Sequence, residues 1–224
     1  MSFNHSNAAH AALKKKVAEA AIAYVGDHRV IGVGSGSTVG YFIEALSLIK
    51  HRLDGCVAAS AQSAAHLQSL GIPVFDLAAF ESLPLYVDGA DSVNYQRMML
   101  KGGGGALTRE KILATVAHEF VCMVDSSKVV SVFQQQPVAI EVIPMARGLV
   151  ARELVKLGGV PVYREHALTD NGHVILDVFD LDLTDMEGME NRINSLVGVV
   201  ENGIFARRLA DVVLVADEHA VMVQ

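Results

Sequence analysis

Apolar runs alternate with amphipathic stretches along the first half of the chain. The run "RVIGVG" at residues 29–34 is β-branched and ends in glycines, which is typical of a buried strand. The next stretch, "STVGYFIEALSLIKHRL", repeats its apolar residues at helical spacing, so the two together predict the opening of a βαβ unit. Further strands are predicted at "GCVAAS", "IPVFDL", "LPLYVDGAD" and "VCMVDSS", and further helices at residues 11–26, "SAAHLQSLG" and "ALTREKILATVAHEF". This alternation predicts an α/β fold with a doubly wound, mostly parallel, Rossmann-like sheet.

The pattern of apolar positions changes near residue 137. Strands are predicted at "VAIEVIP", "VPVYRE", "HVILDVF" and "VGVVENGIF", with a turn at "TDNG" and helices at "MARGLVARELVKLG" and "DMEGMENRINSL". That order, β-α-β-β-α-β, is the ferredoxin-like arrangement. The last run, "ADVVLVAD", is apolar enough to rejoin the first sheet. We therefore expect a Rossmann-like domain of residues 1–136 plus 207–224, into which a smaller α+β domain of residues 137–206 is inserted.

Composition and charge narrow the class of protein. The chain has 224 residues, of which 51% are hydrophobic, and this predicts a globular protein with a sizeable core rather than a disordered chain. The net charge is −7 and no basic stripe runs along any segment, so we expect no nucleic-acid partner. The N-terminus lacks a signal-peptide core, and no run of about 18 apolar residues predicts a membrane span. Cys56 and Cys122 lie in apolar runs, which favours buried thiols in a reducing cytoplasm.

Four polar clusters lie next to the predicted elements. Their sequences are "GSGST" (34–38), "DGAD" (88–91), "KGGGG" (101–105) and "DSSK" (125–128). Three of them follow predicted strands, and "KGGGG" precedes a predicted helix. Because ligands of open α/β sheets bind outside the carboxyl ends of the strands, a single cleft could gather all four clusters.

"GSGST" has two interpretations. Backbone N–H groups at a helix N-terminus suit a phosphate, and Ser35, Ser37 and Thr38 would add hydroxyl donors. The alternative is a tight turn with an ordinary serine or threonine helix cap. The glycine spacing matches neither the dinucleotide fingerprint nor the Walker A loop. Spacing alone leaves both interpretations open.

The two carboxylates of "DGAD" also allow two interpretations. Asp88 and Asp91, converging on a cleft, would suit hydroxyl recognition or proton transfer. The alternative is a turn in which aspartate hydrogen-bonds its own backbone, although one aspartate would be enough for that. A metal site is less favoured, because no histidine or third carboxylate stands at ligand spacing.

The stretch "KGGGGALTREKIL" is charged where a core-facing helix should be apolar. A helical projection at about 100° per residue gives a core stripe, with Arg109 on the stripe and Glu110 on its flank. The stripe consists of Leu113, Val116, Ala117 and Phe120. A solvated first turn would explain the charges but not the four glycines, which let a backbone approach a ligand closely. We therefore consider Glu110 a candidate general base and Lys101 a candidate partner for an oxyanion.

The histidines indicate neither a metal site nor a catalytic triad. They are scattered without ligand spacing, and no Gly-x-Ser-x-Gly motif occurs in the chain. We expect no metal.

Taken together and in this order, the motifs resemble those of ribose-5-phosphate isomerase of the A type. The resemblance covers nearly the whole chain. It rests on "VGSGSTVGYFI", "YVDGAD", "KGGGGALTREKIL", "EVIPMARGLVARELVKLGG" and the "TDNGHVILDV" hairpin. It implies an aldose–ketose isomerase that interconverts D-ribose 5-phosphate and D-ribulose 5-phosphate through an enediolate in the pentose phosphate pathway. It also implies that the enzyme uses no cofactor, is cytoplasmic and forms a homodimer or tetramer.

The resemblance also implies roles for individual residues. Glu110 would be the base that moves a proton between C2 and C1, and Lys101 would stabilise the enediolate. Asp88 and Asp91 would serve in sugar binding and ring opening. The residues implied in substrate binding are Ser35, Gly36, Ser37, Thr38, Asp88, Gly89, Ala90, Asp91, Lys101, Gly102, Gly103, Gly104 and Lys128.

Two positions depart from the family pattern. Ser35 stands where a threonine is more common, so the hydroxyl remains and a methyl group is lost. Ser92 stands where a glutamate is common, so any ionic contact of that glutamate is lost.

Two other functions remain as alternatives at this point. A non-catalytic sugar-phosphate sensor would keep the phosphate turn but would not need Glu110. A sugar-phosphate deaminase or lactonase would be expected to have a histidine in the site, and none stands in the four clusters.

Overall fold

The computed structural model describes residues 2–133 and 136–224, with side chains from residue 8 onward. The chain divides into two compact units. Unit 1 runs to Ala90 and also includes Ile112–Val129 and Ala210–Gln224. Unit 2 comprises Asp91–Lys111 and Val130–Leu209. The domain boundaries expected after residues 136 and 206 stay a prediction.

The helices and strands follow the predicted alternation. The helices are α1 (Ser2–Val25), α2 (Ser37–Ser47), α3 (Ala61–Ser69), α4 (Leu107–Val116), α5 (Arg147–Lys156) and α6 (Met186–Asn194). The strands are β1 (Val30–Val33), β2 (Gly55–Ala58), β3 (Leu83–Gly89), β4 (Ser92–Val93), β5 (Met99–Leu100), β6 (Ala117–Asp125), β7 (Val138–Val142), β8 (Val160–Tyr163), β9 (Val174–Phe179), β10 (Val199–Asn202), β11 (Ile204–Phe205), β12 (Val212–Ala216) and β13 (Val221–Val223).

Unit 1 contains a six-stranded sheet in the order β13-β12-β6-β3-β1-β2. Its neighbouring strands are parallel apart from β12 and β13, so the predicted mostly parallel sheet is confirmed. Strands β1, β2, β3, β6 and β12 read as largely apolar runs because most of their side chains are buried. Val17 of α1, Phe42 and Leu46 of α2 and Leu67 of α3 pack into this core.

Unit 2 contains a four-stranded antiparallel sheet in the order β10-β7-β9-β8. With α5 and α6 it has the predicted β-α-β-β-α-β order of elements. Val150 of α5 and Ile193 of α6 pack into a core with Ile140 and Leu176 of the sheet. Unit 2 also contains a small sheet in the order β11-β5-β4, which the sequence pattern did not predict.

Three predicted elements are wrong in type or extent. "IPVFDL" is not a strand of the sheet, because Val74 makes an isolated bridge to Cys56 and Leu77–Ala79 is a 3-10 turn. The helix predicted over "ALTREKILATVAHEF" ends at Val116, and β6 begins at Ala117. Pairing with β3 and β12 on either side outweighs the helical spacing there. The strand predicted over "VGVVENGIF" is divided into β10 and β11, which belong to different sheets.

The bounds of two helices also differ from the prediction. Helix α1 begins at Ser2 rather than near residue 11. Helix α2 ends at Ser47, and a separate 3-10 turn follows at Lys50–Arg52. Within the described ranges no helix is long and apolar enough to cross a membrane. Cys56 and Cys122 are both buried, as predicted, and burial raises the pKa of Cys56 to about 12.

Candidate active site

The carboxyl ends of three adjacent strands of unit 1 carry predicted site residues. Strands β1, β3 and β6 are neighbours in the sheet and run parallel, so their carboxyl ends lie at one edge. The turn at 34–38 follows β1, Asp88 lies near the end of β3, and the segment 126–128 follows β6. Unit 1 therefore places the serine-rich turn, Asp88 and Lys128 along one sheet edge.

The turn at 34–38 leaves the N-terminus of α2 without a side-chain cap. Gly36 is the N-cap residue, at a φ of +93°, and no described side chain hydrogen-bonds as its cap. The ordinary serine or threonine cap considered from the sequence is therefore absent. Gly36 and Ser37 are exposed, so the first N–H groups of α2 can reach an anion.

A lysine that the sequence reasoning missed lies at this turn. The Nζ atom of Lys14, on α1, donates a hydrogen bond of 3.0 Å to Oγ of Ser37. The residues are 23 positions apart, so no local motif relates them. The packing of α1 against α2 places this cation beside the start of α2.

Asp88 is fully buried, and its carboxylate accepts hydrogen bonds from backbone N–H groups and from a tyrosine hydroxyl. Its Oδ1 atom accepts from the backbone N–H of Ser35 at 3.0 Å and from that of Gly89 at 2.7 Å. Its Oδ2 atom accepts from the hydroxyl of Tyr86. Tyr86 lies two residues earlier on β3, so both side chains project from the same face of the strand. Donors at both oxygens fix the orientation of this carboxylate.

Two glycines of β1 and its turn make room for these side chains. A Cβ atom at Gly34 would lie 1.9 Å from Cγ of Asp88, and one at Gly32 would lie 2.9 Å from the ring of Tyr86. Tyr86 is a second residue that sequence reasoning missed. Two features of the sequence could have indicated it. Tyr86 stands two residues before Asp88, so both lie on the same face of a strand, and the neighbouring strand β1 has glycines that leave space there.

At the end of β6, Asp125 forms the turn that carries Lys128. Its Oδ1 atom accepts hydrogen bonds from the backbone N–H of Ser127, at 3.0 Å, and from the Ser127 hydroxyl. Lys128, half-buried, ends the 3-10 turn that Asp125 caps. The local turn thus holds Lys128 at the same edge as Asp88.

Unit 2 brings together Asp91, the glycine loop and Glu110. The backbone N–H of Gly103 donates a 2.7 Å hydrogen bond to Oδ2 of Asp91. A Cβ atom at Gly103 would lie 2.8 Å from the other oxygen of that carboxylate. Gly102 has a φ of +111° and a Cβ there would lie 2.8 Å from that of Ala139. At these two positions glycine is required by a close carboxylate and by backbone conformation.

Lys101 and Glu110 form a buried ion pair at the two ends of this segment. The Nζ atom of Lys101 lies 3.3 Å from Oε2 of Glu110, and both residues are only 4% exposed. The ammonium also lies 5.6 Å from the centroid of the Phe205 ring. Two opposite charges are thus held close together in a site of low solvent access, where electrostatic interactions are strong.

The helical projection is wrong about the first turn of α4. Ala117 and Phe120 belong to β6, so two of the four residues that defined the stripe are not on the helix. Glu110 faces inward, whereas Arg109 is 39% exposed. Arg109 instead donates hydrogen bonds of 2.8 Å to Oδ1 of Asn171 and to the carbonyl of Asp170. The expected position of Glu110 on the flank of the core stripe is therefore corrected to a buried one.

Lys111, beside Glu110, forms a separate buried ion cluster. Its Nζ atom donates to Oε1 of Glu190 and Oε1 of Glu201, both at 2.9 Å, and to the carbonyl of Ile204 at 2.7 Å. It lies 4.9 Å from the Phe205 ring centroid. These contacts tie the start of α4 to β11.

Glu141, on β7, is fully buried and holds the other side of the first turn of α4. Burial raises the pKa of its carboxyl, but hydrogen bonds from four side chains outweigh burial and lower it below the usual value. The donors are the Thr108 hydroxyl, the Thr169 hydroxyl at 2.8 Å, Asn171 Nδ2 at 3.0 Å and the His173 ring at 2.8 Å. The carboxylate therefore links α4 to the "TDNG" hairpin.

Two further observations concern predicted features. Ser92 is 1% exposed, and no hydrogen-bond partner of its hydroxyl is found among the described residues. Over the same residues, no group of three or more histidine, cysteine, aspartate or glutamate side chains could hold a metal ion.

Comparison with known proteins gives concordant matches. A family model described as ribose 5-phosphate isomerase A (phosphoriboisomerase A) matches residues 55–220. A curated ribose-5-phosphate isomerase A of Legionella pneumophila (strain Lens) is 58% identical over 209 residues, which cover 93% of this chain and 97% of the relative.

Solved structures agree with these sequence matches. Ribose 5 phosphate isomerase A from Neisseria gonorrhoeae superposes with a TM-score of 0.93 at 42% identity, over 96% of each chain. A D-ribose-5-phosphate isomerase in complex with phospho-erythronic acid gives a TM-score of 0.88 at 36% identity, over 95% of this chain and 97% of that one.

Proposed function

This chain belongs to the ribose 5-phosphate isomerase A family, and we propose that Glu110 and Lys101 carry out the chemical step of the family reaction. The enzyme interconverts D-ribose 5-phosphate and D-ribulose 5-phosphate in the pentose phosphate pathway. The alternative of a non-catalytic sensor is therefore wrong. The observation that carries the assignment of the two residues is the buried pair itself, with 3.3 Å between the ammonium and the carboxylate.

The reaction moves one carbon-bound proton from C2 to C1 and one hydroxyl proton from O2 to O1, and the carbon-bound transfer needs one base and one cation. In the open-chain aldose, the Glu110 carboxylate removes the proton on C2, and the resulting enediolate is reprotonated at C1 to form the ketose. As the carboxylate is neutralised, negative charge appears on the sugar oxygen. The ammonium of Lys101, already beside the carboxylate, can stabilise that charge where it develops. The net charge of base, cation and sugar is unchanged throughout the step.

The remaining predicted residues are assigned to binding the sugar phosphate. The uncapped N-terminus of α2, with Ser35, Ser37 and Thr38, offers N–H and hydroxyl donors to the phosphate. Lys14 adds a cation beside that turn, and Lys128 adds one at the same sheet edge. This group of donors suits a phosphate dianion better than a neutral sugar.

The two aspartates are assigned to the sugar hydroxyls and to ring opening. Asp88 is held rigidly by Tyr86 and two backbone N–H groups, which suits the orientation of a hydroxyl. Asp91 is half-buried, and its Oδ2 atom accepts from Gly103 of the glycine loop. Gly89, Ala90 and Gly104 are proposed to contribute backbone contacts.

The structural relative that holds phospho-erythronic acid suggests a binding probe for this chain. That acid combines a phosphate with a planar carboxylate, and the enediolate likewise carries two oxygens on planar carbons. We expect this chain to bind the acid in competition with ribose 5-phosphate.

The variant Glu110→Gln tests the assignment of the base. We expect at least about a 10³-fold loss of kcat, because the amide cannot accept the C2 proton, with binding of phospho-erythronic acid retained. Turnover is measured by a coupled assay of ribulose 5-phosphate formation with EDTA present, and binding by calorimetry.

The exposed Glu165→Gln is the matched control and should keep wild-type kcat. A Glu110→Gln variant with near-wild-type kcat would overturn the assignment of the base. Loss of wild-type activity only when EDTA is present would overturn the expectation of metal-free catalysis.

The family resemblance also supports a cytoplasmic homodimer or tetramer. Light scattering after size-exclusion chromatography distinguishes these assemblies from a monomer, and fractionation of the source cells tests the compartment.

A further inference from the structure

An arginine outside all four sequence motifs clamps the glycine loop. Arg164 follows strand β8, and its Nη1 atom donates hydrogen bonds to the carbonyl oxygens of Gly102, at 3.0 Å, and Gly103, at 3.2 Å. Its Nε atom donates to Oδ2 of Asp177 at 2.8 Å, and Nη2 donates to the other carboxylate oxygen. The guanidinium therefore joins a carboxylate on β9 to two successive peptide groups of the loop.

The position of this guanidinium is itself fixed by the four-stranded sheet. The backbone N–H of Arg164 donates to the carbonyl of Ile175 at 3.0 Å, and Asp177 pairs with Val162 in the ladder of β8 and β9. The Arg164 and Asp177 side chains are only 22% and 18% exposed. A bidentate pair that is shielded from water keeps its geometry better than an exposed one.

One peptide group connects Arg164 to Asp91. The carbonyl of Gly102 and the N–H of Gly103 belong to the same planar trans peptide, in which they point in opposite directions. Arg164 binds its oxygen, and the Oδ2 atom of Asp91 binds its N–H at 2.7 Å. A rotation of this peptide would break both hydrogen bonds together.

The glycines make such a rotation easy when the clamp is absent. Neither Gly102 nor Gly103 has a side chain to restrict its backbone, and Gly102 already occupies a φ of +111°. Gly103 and Gly104 are exposed, so little packing opposes movement there. Within the loop, the N–H of Gly105 also donates to the Gly102 carbonyl at 3.0 Å, and Arg164 adds the contact that ties this carbonyl to the four-stranded sheet.

We propose that Arg164 is a positioning residue for the isomerase reaction, which holds the 102–103 peptide so that its N–H orients the Asp91 carboxylate. The proposal rests on the proposed assignment of Asp91 to the sugar. Arginine suits this role because its planar fork can bind Asp177 and the loop carbonyls at the same time, which a lysine ammonium cannot do in the same geometry.

The test combines Arg164→Ala, Asp91→Asn and the double variant in the coupled isomerase assay. We expect Arg164→Ala to lower kcat/KM by about 10- to 100-fold, the loss typical of a misplaced catalytic group. The double variant should be no worse than Asp91→Asn by more than about twofold, because Arg164 acts through Asp91. Losses that multiply in the double variant would overturn the proposal.

Arg164→Lys keeps the charge opposite Asp177 and guards against a failure of Arg164→Ala to fold. It should have an intermediate kcat/KM, because the lysine ammonium can replace only some of the hydrogen bonds that the guanidinium makes to Asp177 and the loop. Thermal unfolding and circular dichroism report the fold of each variant. A well-folded Arg164→Lys or Arg164→Ala with wild-type kcat/KM would overturn the proposal.

The matched control is Arg147→Ala, whose guanidinium stacks on the ring of Tyr163, at 4.4 Å, and has no hydrogen bond to the glycine loop among the described residues. It should keep kcat/KM within about twofold of wild type, because the Arg147 guanidinium contacts Tyr163 and does not orient the 102–103 peptide. If Asp91→Asn itself had wild-type kcat/KM, the role of Asp91 would be wrong. A wild-type Arg164→Ala beside an impaired Asp91→Asn would instead contradict the clamp alone.

Discussion

Asp88 and Asp91 are the first and last residues of the tetrapeptide "DGAD", yet different contacts hold their carboxylates in place. Asp88, in unit 1, is fully buried at the end of β3, between backbone N–H groups and the hydroxyl of Tyr86. Asp91, in unit 2, is half-buried and accepts a hydrogen bond from a glycine loop. The loop in turn is held by the side chain of Arg164.

This difference predicts how each region responds to mutation. In unit 1 the parallel ladder sets the geometry, and the space left by Gly32 and Gly34 admits the functional side chains. Its function should be most sensitive to added atoms. In unit 2 the loop depends on ion pairs and clamps, so its function should be most sensitive to the removal of side chains.

Among the variants that test this comparison, the largest effect is expected from Lys101→Met in unit 2. The methionine keeps the length of the side chain but not the ammonium that lies 3.3 Å from Glu110. Loss of oxyanion stabilisation should lower kcat by about 10²- to 10³-fold. The coupled assay measures kcat, and urea unfolding measures the stability lost with the buried pair. The exposed Lys156→Met is the control; a Lys101→Met variant within threefold of wild type would contradict the role of Lys101.

The next largest effect is expected from Gly34→Ala in unit 1. The added Cβ would lie 1.9 Å from Cγ of Asp88, so Asp88 or β1 must move. Overpacking of this kind should lower the free energy of unfolding by about 1–3 kcal/mol. A displaced Asp88 should lower kcat/KM by about tenfold or more. Urea unfolding and the coupled assay measure the two effects.

Gly40→Ala is the matched control for the added methyl group. Gly40 lies within α2 and a Cβ there would meet nothing within 4 Å. We expect it to raise stability by about 0.5–1 kcal/mol and to leave activity unchanged. Equal losses in both variants would show that the space around Asp88 has no special role.

Removal of a side-chain group in unit 1 should have a smaller effect on activity. Tyr86→Phe removes the hydroxyl that donates to Asp88 but keeps the ring, whose centroid lies 5.0 Å from that of Phe120. Two backbone N–H groups still hold the carboxylate, so kcat/KM should fall by less than about tenfold, with a stability loss of about 1–3 kcal/mol. A loss equal to that of Asp88→Asn would show that the hydroxyl, rather than the ladder, orients this aspartate.

The smallest effect on activity is expected from Glu141→Gln. This variant tests, through the pH dependence of stability, whether the Glu141 carboxylate holds the first turn of α4 in place. Because its folded-state pKa lies below the usual 4.5, the Glu141 carboxylate stabilises the fold above that pH. This stabilisation is lost as the pH falls below 4.5 through the folded-state pKa. Wild type should therefore lose more unfolding free energy between pH 7 and pH 3 than Glu141→Gln does, as measured by urea unfolding. Equal losses would contradict the role of this carboxylate, with the exposed Glu165→Gln as the control.

Much of the candidate site could be predicted from local sequence, and some of it could not. Glu110, Lys101 and the two aspartates lie in short motifs whose residue types suggest chemistry by themselves. Tyr86 was missed because its contact with Asp88 arises only when both side chains project from the same face of β3. Lys14 and Arg164 were missed because their contacts lie 23 and 62 residues away, and hydrogen bonds at such distances leave no periodic signal.

The sequence by itself determined the order of strands and helices and the mostly parallel character of the first sheet. It also determined which residue types could take part in binding or proton transfer. Apolar periodicity carries that information because each element must bury one face or both. Tertiary structure alone decided that α4 ends at Val116 and that β6 follows it, because pairing with two neighbouring strands outweighed the local helical pattern. It also decided why the glycines are there. The sequence shows their backbone freedom, whereas only the fold shows that Gly34 leaves space for Asp88 and Gly103 for Asp91.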